Sequence, residues 1–182
     1  MAGVRGKAPG PDLGGYPLRR TVRGGEEGLL VPARAIIDAS VLLASLLPDE
    51  PTHPEARELL GLALLTPAKV ELLSTTLLPY ELTNGLWQAA RQGRLTPEDI
   101  EEILQKYELF EIPLYPVRPK AVIALGKSLG YPSAYDLAYL ALAEGEKAPL
   151  VTADQRLYNA VHGKLPRILL IGDFLASLGS AG

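Results

Sequence analysis

From Ala35 onward, short apolar runs alternate with longer stretches in which apolar residues recur every three or four positions. The short runs, Ala35–Asp38, Glu71–Thr75, Ile112–Tyr115, Leu150–Thr152 and Ile168–Ile171, predict β-strands. The longer stretches predict helices near 40–47, 54–65, 77–93, 97–109, 118–129, 134–146, 154–161 and 173–178. Strands separated by helices need crossover connections, so the expected fold is α/β, with one parallel sheet covered by helices on both faces. One helix start is explicit: Thr96-Pro97-Glu98-Asp99 supplies an N-cap, a proline at the first helical position and acids in the first turn. Residues 1–34 are rich in Gly and Pro, carry scattered Arg and have no sustained period. They are expected to form a flexible extension, or to include a misread start upstream of Val31, with a single folded domain over 35–178.

Composition narrows the picture. A chain of 182 residues, 47% of them apolar, suffices for one well-buried core. No apolar run approaches the roughly 18 residues of a membrane span and no signal-peptide core is present, so the expectation is a soluble, cytoplasmic protein with no membrane partner. Cysteine is absent, which removes disulfides, thiolate nucleophiles and zinc–thiolate sites. The formal charge of −3 does not suggest a nucleic-acid binder. Segment 1–34 holds six basic residues against three acids, which leaves the remainder with twelve basic and eighteen acidic residues, a net of −6. Any anion handled by that body must be met by a metal or by locally placed Arg and Lys.

The chemistry-bearing candidates are acids. Asp38 follows Ala35-Ile36-Ile37 and Asp154 follows Leu150-Val151-Thr152-Ala153, which puts both at the carboxyl ends of predicted strands. That edge is where open parallel sheets bind ligands. Glu81 lies in the first turns of the helix after strand 71–75, and Asp136 in the first turn of the helix opened by Ser133. Each acid alone has a plain alternative, because helix starts favour acids through capping and the macrodipole, and Ser133-Ala134-Tyr135-Asp136 resembles a capping box. Together they are harder to dismiss. Two carboxylates about 5 Å apart repel by roughly 3 kcal/mol at an effective dielectric near 20. A divalent cation offsets that repulsion, and an all-oxygen donor set favours Mg²⁺ or Mn²⁺ over zinc. Ser40, Thr152 and Asn84 stand two after Asp38, two before Asp154 and three after Glu81, where each can hold a carboxylate or a metal-bound water, or simply serve a local turn. His53 and His162 lack ligand-like spacing and are expected at the surface. Trp87 with Tyr80, Tyr139 and Tyr158 suits core or interface packing, and 6% aromatic content suggests no platform for bases.

Four segments together resemble the PIN-domain family and its VapC-like toxins: Ile36-Ile37-Asp38-Ala39-Ser40, Glu81 with Asn84, Tyr135-Asp136-Leu137-Ala138-Tyr139-Leu140-Ala141-Leu142-Ala143, and Leu150-Val151-Thr152-Ala153-Asp154-Gln155-Arg156-Leu157. The resemblance covers about 35–178. It implies a three-layer α/β/α domain with a five-stranded parallel sheet and a Mg²⁺- or Mn²⁺-dependent endoribonuclease that leaves a 5′-phosphate and a 3′-hydroxyl. It also implies a homodimer and a cognate antitoxin protein as partner. Asp38, Glu81, Asp136 and Asp154 become, by the same resemblance, the metal-binding and catalytic acids. Arg156, two after Asp154, is the candidate contact to RNA. A non-catalytic PIN-like module that binds RNA or protein is the alternative, disfavoured by the complete acidic set. A phosphatase-like domain is more distant, since Asp38-Ala39-Ser40 lacks a paired Asp and no lysine follows the last strand.

Overall fold

The computed structural model describes residues 32–67 and 69–180, so the expectation for residues 1–31 lies outside the described residues. The elements run β1 (Ala33–Ile37), α1 (Ala39–Leu46), α2 (His53–Leu65), β2 (Val70–Thr75), α3 (Leu78–Arg91), α4 (Pro97–Glu108), β3 (Leu114–Tyr115), α5 (Pro119–Leu129), α6 (Ala134–Glu146), β4 (Leu150–Thr152), α7 (Gln155–Val161), β5 (Ile168–Leu170) and α8 (Ile171–Gly179). All five strands join one parallel sheet in the order β3-β2-β1-β4-β5. Each expected strand and helix is present.

Alternation along the central strands divides the core in two. Ala35 and Ile37 of β1, Leu72 of β2 and Val151 of β4 pack on one face with α1, α2, α3, α4 and α8. Ile36, Leu73 and Leu150 point the other way, into the layer made by α5, α6 and α7. Successive side chains of a strand leave opposite faces, so a strand that is apolar at every position must be covered twice. That is the physical origin of the three layers.

The first strand begins two residues earlier than its apolar run suggests. Ala33 pairs with Val70, its N–H donates to Lys69 O at 2.8 Å, and Arg34 bonds Glu71 at 2.7 Å and reaches Glu146 at 3.5 Å. β1 therefore starts at Ala33, and Arg34 belongs to the sheet. Polar pairing at the amino end of the strand carries no hydrophobic signature.

Strand order also locates the site. From β1 the chain passes to β2 and β3 on one side, then returns to place β4 on the other side of β1. The crevice beyond the carboxyl ends of β1 and β4 is thus the switch point of the sheet, where ligands bind in open α/β folds. α3 is drawn close to α1 beside this crevice. A Cβ on Gly85 would meet the Leu43 side chain, which would have to shift to admit it.

Candidate active site

The last apolar residue of β1 is Ile37, and the next residue, Asp38, caps α1 from a position only 6% exposed. Its Oδ1 accepts from the Ser40 hydroxyl, from Ser40 N at 3.0 Å and from Val41 N at 3.4 Å, and its Oδ2 accepts from the Thr152 hydroxyl at 2.6 Å. The two hydroxyls also accept: Ala153 N donates to Ser40 Oγ and Asp154 N to Thr152 Oγ1, both at 2.9 Å. Each hydroxyl has one proton and gives it to Asp38, so the 3.2 Å approach of Ser40 Oγ to Thr152 Oγ1 is a contact and not a further bond. Ser40 and Thr152 thereby tie the end of β1 to the turn after β4. Burial pushes the Asp38 carboxyl up to about 6, against the pull of these hydrogen bonds.

Asp154 caps α7, with Oδ1 accepting from Arg156 N at 2.8 Å and Leu157 N at 3.2 Å. Its Oδ2 meets no donor among the described residues. The Arg156 side chain is 95% exposed, with Nε 3.8 Å from Asp154 Oδ1.

Asp136 shows how a capping sequence is diverted. At Thr96 the capping box is complete: Asp99 N donates to Thr96 Oγ1 at 3.1 Å, and the Asp99 carboxylate accepts from Thr96 N at 2.7 Å. At Ser133 only half forms. Asp136 N donates to Ser133 Oγ at 3.4 Å, while the Asp136 carboxylate turns to the Tyr131 hydroxyl, which donates at 3.0 Å. Glu81, half-buried in α3, accepts from the Tyr139 hydroxyl at 2.6 Å, and no side chain caps that helix. Two of the four acids are therefore not spent on capping.

The charges act on one another. Desolvation raises Glu81, the charge of Asp136 adds to the rise, and the bond from Tyr139 opposes it. Tyr139 is raised by burial, by its bond to Glu81 and by the charges of Glu81 and Asp38. Tyr131 is pushed up to about 12 by burial, by its bond to Asp136 and by the charges of Asp136 and Asp154. Asp136 thus acts on Glu81, Glu81 and Asp38 both act on Tyr139, and Asp136 and Asp154 both act on Tyr131.

No three acidic or histidine side chains among the described residues converge into a ready-made metal cage. The donor chemistry nevertheless suits a hard cation. Glu81 Oε1, Asp136 Oδ1 and Asp154 Oδ2 accept no hydrogen bond from the described residues, and Mg²⁺ is commonly held by one or two carboxylates with water completing its shell.

Of the other expected residues, Ser40 and Thr152 join the network, whereas Asn84 is exposed and bonds no carboxylate among the described residues. The donor to Glu81 is instead Tyr139, which was expected only to pack. It lies three after Asp136 on α6, a spacing that places both on one side of the helix. Tyr131, in the segment before that helix, carries no comparable signal. Tyr139 is in the core, while Tyr80 and Trp87 are 76% and 60% exposed. His162 is exposed and stacks on Tyr158, whereas His53 is only partly exposed, its Nδ1 2.8 Å from Ala44 O.

The PIN domain family model matches residues 35–162. Ribonuclease VapC3 of Pyrobaculum aerophilum is 30% identical over 128 residues, covering 68% of this chain and 92% of that one. VapC ribonuclease Mb0985 of Mycobacterium bovis is 33% identical over 133 residues, covering 72% of this chain and 94% of that one. The crystal structure of PAE2754 from Pyrobaculum aerophilum superposes with a TM-score of 0.59 at 24% identity, over 81% of this chain and 90% of that one, a likeness of fold.

Proposed function

The chain belongs to the PIN-domain family, and we propose that it is a VapC-like toxin, an endoribonuclease whose acids Asp38, Glu81, Asp136 and Asp154 act with Mg²⁺ or Mn²⁺. What supports this reading is that Asp38 and Asp154 follow the carboxyl ends of adjacent strands β1 and β4, while Glu81 and Asp136 act on one another and on tyrosines that also feel Asp38 and Asp154. Like charges held together in a half-buried crevice are compensated by a cation, and an all-oxygen set without a thiolate suits a hard one. Bound there, such an ion would polarise a phosphodiester and lower the pKa of water. The chain's own residues have separate tasks. Ser40 and Thr152 fix the Asp38 carboxylate by giving it both their protons, Tyr139 orients Glu81, and Tyr131 orients Asp136. Asp154, held by two backbone N–H groups through one oxygen, presents the other. By the family resemblance, the products are a 5′-phosphate and a 3′-hydroxyl.

Arg156 supplies the first basic contact to RNA, because its guanidinium is exposed beside Asp154 with only a 3.8 Å approach to a carboxylate. A cognate antitoxin protein is the regulatory partner. A homodimer is supported by Tyr80 and Trp87, exposed seven residues apart on α3 and so on one stripe of that helix. No helix among the described residues is long and apolar enough to cross a membrane.

The test is cleavage of a mixed RNA pool by purified protein in Mg²⁺, Mn²⁺ or EDTA. Cleavage that needs divalent metal and is lost in Asp154→Asn supports the reading. Binding without cleavage in every condition would favour the non-catalytic module instead.

A further inference from the structure

A second cavity at the same edge is unused by the reading above. About 290 Å³ in volume, it lies between the β2–α3 turn and the first turns of α5 and α6, walled by Thr75, Leu77, Val117, Val122, Ile123 and Tyr135. Two large side chains that line it are exposed, Tyr135 at 63% and Ile123 at 57%. No partner among the described residues bonds the Tyr135 hydroxyl. The lining is one residue from the acids on two counts: Tyr135 directly precedes Asp136, and Thr75 shares a side-chain hydrogen bond with the Tyr139 hydroxyl that holds Glu81. Lys120, exposed in the first turn of α5, stands three residues before Ile123 and hence on its side of the helix, and no carboxylate among the described residues pairs with it.

We propose that this cavity seats one base of single-stranded RNA beside the scissile phosphate, stacked on the Tyr135 ring, an inference that rests on the ribonuclease reading. The occupant must be flat and apolar on its faces yet attached to a phosphate within reach of the acids, and a nucleotide meets both conditions. Every base has a π-face, so stacking on an aromatic ring is tolerant of sequence. Ile123 lines the same cavity. Lys120 supplies a cation for the backbone outside the cavity, in a body that is otherwise net acidic.

The experiment uses full-length Asp38→Asn protein and a short single-stranded RNA carrying 2-aminopurine, whose fluorescence is quenched by stacking. Binding should quench the probe. Tyr135→Ala should remove the quench and weaken binding about 5- to 160-fold, the range for loss of one stacked base, while Tyr135→Phe and Tyr135→Trp keep both. In an otherwise unaltered background, Tyr135→Ala should raise KM for RNA more than it lowers kcat. Unchanged quench and affinity in Tyr135→Ala would overturn the proposal. So would a smaller assembly in sedimentation with unchanged RNA affinity, which would assign this face to a second copy of the chain. Cleavage by the unaltered protein separates the two failures: if it cuts RNA while Tyr135→Ala is indistinguishable, only this inference falls, and if it neither binds nor cuts RNA, the ribonuclease reading falls with it.

Discussion

Asp38 combines the largest burial among the four acids with the densest set of donors, and its stability linkage has a definite sign. Its folded pKa of about 6 lies above the ordinary 3.8. The native state therefore binds the proton more tightly than the unfolded chain does. Its contribution is fully present below about pH 3.8 and is lost as pH rises through 6. The shift corresponds to on the order of 3 kcal/mol. In EDTA, the urea midpoint of the unaltered protein should fall between pH 4.5 and 7 more than that of Asp38→Asn, and RNA cleavage should be lost in the variant. Equal slopes would show that Asp38 is not held as a strained carboxylate. Thr152 is the complementary case, since its hydroxyl both donates to Asp38 and accepts from Asp154 N. Thr152→Val keeps the shape but leaves two buried groups unpaired, so it should cost about 1–3 kcal/mol by chemical denaturation and lower kcat. Unchanged kcat would limit Thr152 to a structural role.

At the scale of the element, two helices with the same kind of N-terminal sequence have been put to different uses. α4 closes its capping box with Asp99, whose carboxyl is held below the usual range chiefly by the Thr96 backbone N–H and then by its hydroxyl. α6 leaves its box half open and turns Asp136 toward Tyr131. Thr96→Ala should therefore cost about 1 kcal/mol of stability with RNA cleavage unaffected. Asp136→Ala should reverse the pattern, abolishing cleavage at little cost in melting temperature because its carboxylate does not serve the cap. Thermal melts and cleavage rates on the two variants check the contrast, and a loss of activity in Thr96→Ala would contradict it.

For the molecule as a whole, the difficulty is charge. The chain outside segment 1–34 is net −6, yet its proposed substrate is a polyanion. Long-range attraction therefore supplies little, and affinity must come from metal at the acids, from a few cations at the rim and from stacking. Arg156→Ala in the Asp38→Asn background should weaken RNA binding and lower the slope of log affinity against log salt by about one. Metal affinity should hardly move. Identical salt slopes with and without Arg156 would return that residue to the solvated surface.

What the sequence by itself determined is the kind and order of the elements and the edge on which the acids lie, because both follow from local rules. Period-2 and period-3.6 patterns mark strands and helices whatever they pack against, and a strand followed at once by Asp38 or Asp154 presents that residue at its carboxyl end. Tertiary structure decided which groups meet. The Tyr139 hydroxyl reaches Glu81 across 58 positions, and the Thr152 hydroxyl reaches Asp38 across 114. No local period records a bond of that span. The start of β1 at Ala33 escaped the pattern for the same reason, since the backbone bond to Lys69 and the Arg34–Glu71 pair define it without an apolar run. Asn84 shows the converse: helical spacing put it near Glu81, but packing left it in solvent and gave the place to a tyrosine from the other helical layer. Tyr135 belongs with these, because a ring beside an acid is ordinary in sequence, and only the fold brings it and Ile123 to the lining of one cavity.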